Sequence, residues 1–162
     1  MIVHNSLNKS HLEKAGFTLI ELLVVVAIIG VLSTIVFASL NSARDKNANA
    51  TIKFNLRSIQ TQAEIFYSDN GTFNGLCTNP IVASITSSTA NIIGGTVNNN
   101  WSTGASVTLV NCHVDPISFN RWAVASGLKI TEGTSTIWCV DYLGNSKGMP
   151  VVSFTSGKMD CS

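Results

Sequence analysis

Residues 17–40 constrain this chain more than any other stretch. The run is predominantly apolar, has no proline, and contains a single ionisable side chain, Glu21. A membrane-spanning helix needs about 20 mostly apolar residues, so the run is long enough to cross. It is apolar on all sides, unlike the one-sided stripe of a helix on a soluble core. A carboxylate at membrane depth is costly unless it is paired. Glu21 is therefore the first functional candidate.

The preceding residues, 1–16, carry Lys9, Lys14, Glu13, His4 and His11 and show no apolar periodicity. They read as a polar cytoplasmic leader ending at Gly16. A secretory signal places its small cleavage residues after the apolar core. Here the small residue comes before it, so cleavage at Gly16 would leave the apolar run on the mature chain. Basic residues flank the run on both sides, at Lys9 and Lys14 and then at Arg44, Lys46 and Lys53, so charge alone does not orient the span. The net charge of +1 gives no reason to expect a nucleic-acid partner. At 162 residues the chain has room for one ordinary domain.

After residue 40 the pattern becomes amphipathic. Ala48, Ile52, Leu56, Ile59, Ala63 and Phe66 recur at helical spacing and define one buried face. Arg44, Asp45, Lys46, Asn49, Lys53, Arg57, Gln60 and Glu64 fall on the other. Asp69-Asn70-Gly71 is a helix stop, with Gly71 as a left-handed cap. A continuous helix over 17–69 would be roughly 80 Å long. The remainder, 71–162, is expected to be a globular head. Within it 84–108, dense in Ser, Thr, Asn and Gly, reads as a long connecting loop. Residues 107–114, 121–126 and 135–141 have strand character, and a fourth strand is expected near 151–155. The fold class is α+β: a long N-terminal helix packed on a small antiparallel sheet.

The stretch Gly16-Phe17-Thr18-Leu19-Ile20-Glu21-Leu22-Leu23, followed by the apolar run, resembles the processing and assembly motif of type IV pilins and the related pseudopilins of type II secretion. The close resemblance covers roughly residues 14–40; the long helix, small sheet and late cysteines agree in outline. It implies four segments: a leader at 1–16, a membrane and filament-core helix at 17–40, its amphipathic continuation at 41–70, and the head at 71–162. It implies that prepilin peptidase cuts between Gly16 and Phe17 and N-methylates the new amine of Phe17. Glu21 then serves assembly. In a water-free bundle of apolar helices an unpaired carboxylate costs several kcal/mol, and the amino terminus at Phe17 of the same or a neighbouring subunit supplies the opposite charge. The other partners implied are further copies of the chain, minor pilins, the inner-membrane platform protein, the assembly ATPase, and membrane lipid before assembly. The waiting subunit would be a single-pass inner-membrane protein with its head outside the cytoplasm, later part of a surface filament. The alternative is a pseudopilin of a type II secretion or DNA-uptake machine. One departure stands out. Many members carry a helix-kinking proline about twenty residues into the mature helix, whereas here the corresponding stretch is Thr34-Ile35-Val36-Phe37-Ala38.

Four cysteines beyond the span suit an oxidising compartment and two disulfides. Three pairings are open to them. The preferred one joins Cys77 to Cys112, closing the long loop, and Cys139 to Cys161, tying the last segment to a central strand. No C-x-x-C pair occurs, and His113 is the only histidine near a cysteine, so no zinc centre is indicated and no cofactor is expected. Trp122 and Trp138 sit in strand patterns and are expected in the core, whereas Trp101, in a polar stretch, is an adhesive candidate. Asp141, Asn145 and Ser146 offer oxygens to calcium, but their spacing fits an ordinary turn better than a ligand loop. His4, His11 and His113 form no nucleophile–base constellation. The chain is not expected to be an enzyme, and a tethered enzyme is the weaker alternative.

Overall fold

The computed structural model describes residues 16–100 and 102–162, without the side chain of Ala38. The leader segment 1–15 and Trp101 lie outside the described residues. The chain divides into two compact units, residues 1–40 and 41–162.

The first helix, α1, spans Leu19–Asn70. In the first unit it is apolar and its described side chains are exposed, Ser33 alone being half-buried. From residue 41 onward it joins the head. Ile52, Leu56, Ile59 and Ala63 are fully buried there, as their spacing requires. Burying a side chain such as Leu or Ile contributes about 1.5–3 kcal/mol, so this stripe fastens α1 to the sheet. Ala48 and Phe66, at its ends, are only half-buried. Asn49 corrects the sequence reading. Its polarity predicts the solvent side, yet it is completely buried, because position 49 lies on the same stripe three residues before Ile52. The helix ends at Gly71, whose φ of 67° lets its N–H reach the Tyr67 carbonyl at 2.7 Å.

A second helix, α2, Pro80–Ile93, runs into the stretch 84–108 expected to be a long loop with at most short strands, and replaces its first part. Asn79 caps it, with Oδ1 accepting from the N–H groups of Ile81 and Val82. Val82, Thr86, Thr89 and Ala90 are its buried positions. Five strands follow in sequential order across one sheet: β1 (Thr96–Asn98), β2 (Leu109–Val114), β3 (Trp122–Glu132), β4 (Ser135–Asp141) and β5 (Ser146–Met149). The sheet is antiparallel except that β1 runs parallel to β2. No strand forms over 151–155. A short 3-10 turn, Val151–Ser153, takes that place, and the edge strand lies earlier, before Pro150.

Alternation along the strands gives the sheet two buried faces. Val110, Cys112, Trp122, Val124 and Val140 pack with α1 and α2. Ala123, Ala125, Ile137, Cys139 and Met149 form a second cluster with Phe154 and Cys161 of the C-terminal segment. That segment therefore covers the face turned away from the helices. At Gly127 a side chain is impossible, since a Cβ there would lie 1.9 Å from the Val107 carbonyl oxygen.

Candidate functional site

The helix begins with a reciprocal cap. Thr18 Oγ1 accepts from the Glu21 N–H at 3.3 Å, while Glu21 Oε2 accepts from the Thr18 N–H at 2.9 Å and from its hydroxyl at 2.7 Å. This is a capping box, in which two otherwise orphaned donors of the first turn are satisfied. A carboxylate also suits the positive end of the helix dipole. Glu21 thus has a partner inside its own chain. The Thr-x-x-Glu pattern at Thr18 and Glu21 is the sequence signal for this cap, and a reading of Glu21 as a charge alone does not find Thr18. Phe17, just before the cap, is 84 % exposed, and Gly16 has open space around its α-carbon. The scissile bond named from the sequence lies between these two exposed residues.

Among the described residues, the apolar surface beyond the cap has no internal partner. Leu19, Ile20 and Phe37 are all more than half exposed, and such a surface must be covered by lipid or by other helices. The stretch lacking proline stays α-helical. Ser33 donates to the Ile29 carbonyl at 2.7 Å and Thr34 to the Val31 carbonyl at 2.8 Å, so both hydroxyls are satisfied within the helix.

In the head, disulfides join Cys77 to Cys112 and Cys139 to Cys161, each with Cα atoms 5.7 Å apart. Asp141 is buried. Its Oδ1 accepts from the N–H groups of Leu143 and Asn145, and its Oδ2 from the Asn145 side chain and the Cys161 N–H. Both oxygens are thereby committed to the β4–β5 turn and to the last cysteine. Ser146 accepts from Trp138 Nε1 at 3.1 Å. Trp122 is buried, whereas Trp138 is half-buried with the Lys53 ammonium 4.6 Å from its ring centroid. His113 is fully buried beside Phe154. Its Nδ1 lies 3.2 Å from the Lys158 carbonyl, and burial pushes its pKa below the ordinary value. An open concavity of about 580 Å³ is lined by Asp115, Ile117, Ser118, Asn120, Arg121 and Tyr142. Its two charges are paired with each other, Arg121 to Asp115 at 2.8 Å.

Residues 13–37 match the prokaryotic N-terminal methylation motif, the prepilin signature of type IV pilins and pseudopilins. No curated protein and no solved structure matches the chain.

Proposed function

We propose that this chain is a structural subunit of a type IV pilus or pilus-like filament, assembled from the membrane by helix bundling and serving adhesion, motility or DNA uptake. The observation that carries the reading is the methylation motif over residues 13–37, followed by a helix whose apolar side chains up to residue 40 are exposed. The motif implies prepilin peptidase and the general filament machinery. On this reading the cut falls between Gly16 and Phe17, the new amine is methylated, and the head lies outside the cytoplasm, where Cys77–Cys112 and Cys139–Cys161 meet an oxidising compartment.

Glu21 has two states in this scheme. In lipid it caps its own helix through Thr18. In the filament it exchanges part of that cap for the amino terminus of Phe17, so that a subunit in the wrong register leaves two charges unpaired. The second reading, a pseudopilin of type II secretion, shares every one of these steps and differs in its product.

Mass spectrometry of the amino terminus tests the reading: the mature chain should begin at methylated Phe17, and an intact leader in healthy cells overturns it. Sheared long filaments containing the chain separate a pilus from a secretion pseudopilus. Removing one partner of a buried pair costs about 3–5 kcal/mol. Glu21→Ala should therefore abolish sheared filaments while the membrane pool, measured by immunoblot, stays at its normal level. Normal filament yield would refute the pairing role.

A further inference from the structure

The sheet face turned away from the helices carries a buried imidazole that filament assembly does not use. His113 on β2 pairs with Ala123 on β3, and Ala123 with Asp141 on β4. Residues directly opposite one another on neighbouring strands share a face, so these three form one row. His113 and Asp141 are both buried, with the small Ala123 between them. The C-terminal segment crosses this row. Its Cys161 N–H donates to Asp141 Oδ2 at 2.7 Å, and its Lys158 carbonyl lies 3.2 Å from His113 Nδ1. A carbonyl only accepts, so Nδ1 carries the ring proton. Nε2 is then a bare acceptor, and it has no hydrogen-bond partner among the described residues.

We propose that His113 is an acid-operated latch on residues 150–160: the neutral ring holds this strap against the sheet, and the imidazolium lets it rise. The strap starts just after the edge strand β5 and ends beside Cys161, which a disulfide ties to Cys139 on β4. Its one regular element is the 3-10 turn Val151–Ser153. Beyond the latch, it is held through the Val151 N–H on the Thr136 hydroxyl at 2.8 Å, the Phe154 carbonyl on the Ala105 N–H at 2.9 Å, and the Ser156 hydroxyl on the Ser102 carbonyl at 2.6 Å. Phe154 also packs on the imidazole, with ring centroids 5.2 Å apart. Tethered at both ends, the strap can lift and return without losing its place.

A proton on Nε2 works against the closed strap because it puts a charge where water is excluded. Burial pushes the His113 pKa down, and the carbonyls of Lys158, Thr103 and Asn100 pull it up less strongly. The neighbouring carboxylates are already engaged. Asp141 has donors on both oxygens, Asp115 is paired with Arg121, and Asp160 accepts from the Ser162 N–H and lies 4.0 Å from Lys158 Nζ. Residues 122–128 of β3 and 99–106 contain no ionisable side chain. With the folded pKa below the ordinary value of about 6.5, the closed strap is fully stable above that pH and loses stability as pH falls through it. His113 is the only histidine after Gly16, and imidazole is the side chain that ordinarily titrates between about pH 5 and 8. Lifting the strap uncovers Ala125, Ile137 and Met149, so acid turns a covered face into an apolar surface. The cluster beneath the helices keeps its own disulfide, Cys77–Cys112.

The test is amide hydrogen exchange of the purified full chain in detergent at about pH 7.5 and about pH 5.5, corrected for the intrinsic pH dependence of exchange. The opening equilibrium of residues 151–160 should rise by up to about tenfold at the lower pH, which lies about one unit below the ordinary imidazole pKa. The amides of α2 and of the buried stripe on α1 should keep their protection. An unchanged strap overturns the inference, and so does an equal rise in the helices, because the whole head would then be loosening. His113→Asn retains an N–H donor near the position of Nδ1 but takes up no proton, and should abolish the pH response. A response that survives in His113→Asn overturns the latch. The His113 ring of the parent chain, followed by NMR against pH, gives a readout that needs no variant. Its midpoint should fall below about 6.5, and a midpoint at or above that value overturns the inference.

Discussion

Asp115 shows how far one carboxylate can organise a loop. Its Oδ1 accepts from the Ile117 and Ser118 N–H groups, and its Oδ2 from the Ser118 hydroxyl and from two nitrogens of Arg121. The Ser118 hydroxyl, the Ile117 N–H and the Arg121 guanidinium hold its carboxyl well below the ordinary carboxylate range. A depressed pKa contributes stability above the unfolded value of about 3.9, and that stability is lost as pH falls toward the folded value. Asp115→Asn should therefore lower the melting temperature at neutral pH, and the gap between variant and parent should close as the buffer is taken below about pH 4. A gap that stays constant down to acid pH would mean that the charge plays no part. Asp141 uses the same chemistry further inside. Its sequence neighbourhood suggested a turn or a cation site, and the four donors on its two oxygens show a carboxylate already spent on protein. Sequence marks such a residue as polar and placed after a strand, but cannot show that its hydrogen-bond capacity is filled by a backbone N–H twenty residues away.

At the scale of elements, α2 is the lesson. Its bounds were legible: Asn79-Pro80 is a cap followed by a first-turn proline, and Gly94 closes the helix in the left-handed region. Its interior was not. The buried positions include Thr86 and Thr89, so the apolar period that reveals a helix is broken by hydroxyls. Those hydroxyls are satisfied locally, Thr86 by the Ala83 carbonyl and Thr89 by the Ile85 carbonyl, which is how a polar residue becomes tolerable inside. The stripe on α1 was legible because Ile52, Leu56 and Ile59 are unambiguous, whereas Asn49 was hidden by its own polarity. Its amide substitutes for a strand partner where the register of β3 and β4 shifts between Gly127 and Glu132, a contact 81 residues distant. Losing an N-cap costs about 1 kcal/mol, so Asn79→Ala should speed amide hydrogen exchange in the first turns of α2 about fivefold, with the sheet amides unchanged. An equal acceleration across the sheet would show that α2 does not open separately.

For the whole molecule, the apolar run and its motif were readable from the first forty residues, since composition alone dictates an environment for them. The head was readable as a class, α+β, but its two-faced sheet was not, because the C-terminal segment, whose residues 151–155 read as a further strand, packs instead as a 3-10 turn and irregular chain across the second face. The two disulfides divide between those faces. Cys77–Cys112 lies in the core beneath the helices, and Cys139–Cys161 in the cluster under the C-terminal segment. This arrangement sets how much chain the head can surrender under load. The loops closed span 35 and 22 residues, and neither can lengthen while its sulfur link holds. At about 3.5 Å per extended residue, reduction should add roughly 200 Å to the contour length released when the head is pulled apart in an optical trap. While oxidised, a head pulled apart would surrender only the chain outside those two loops, and once reduced it would surrender the loops as well.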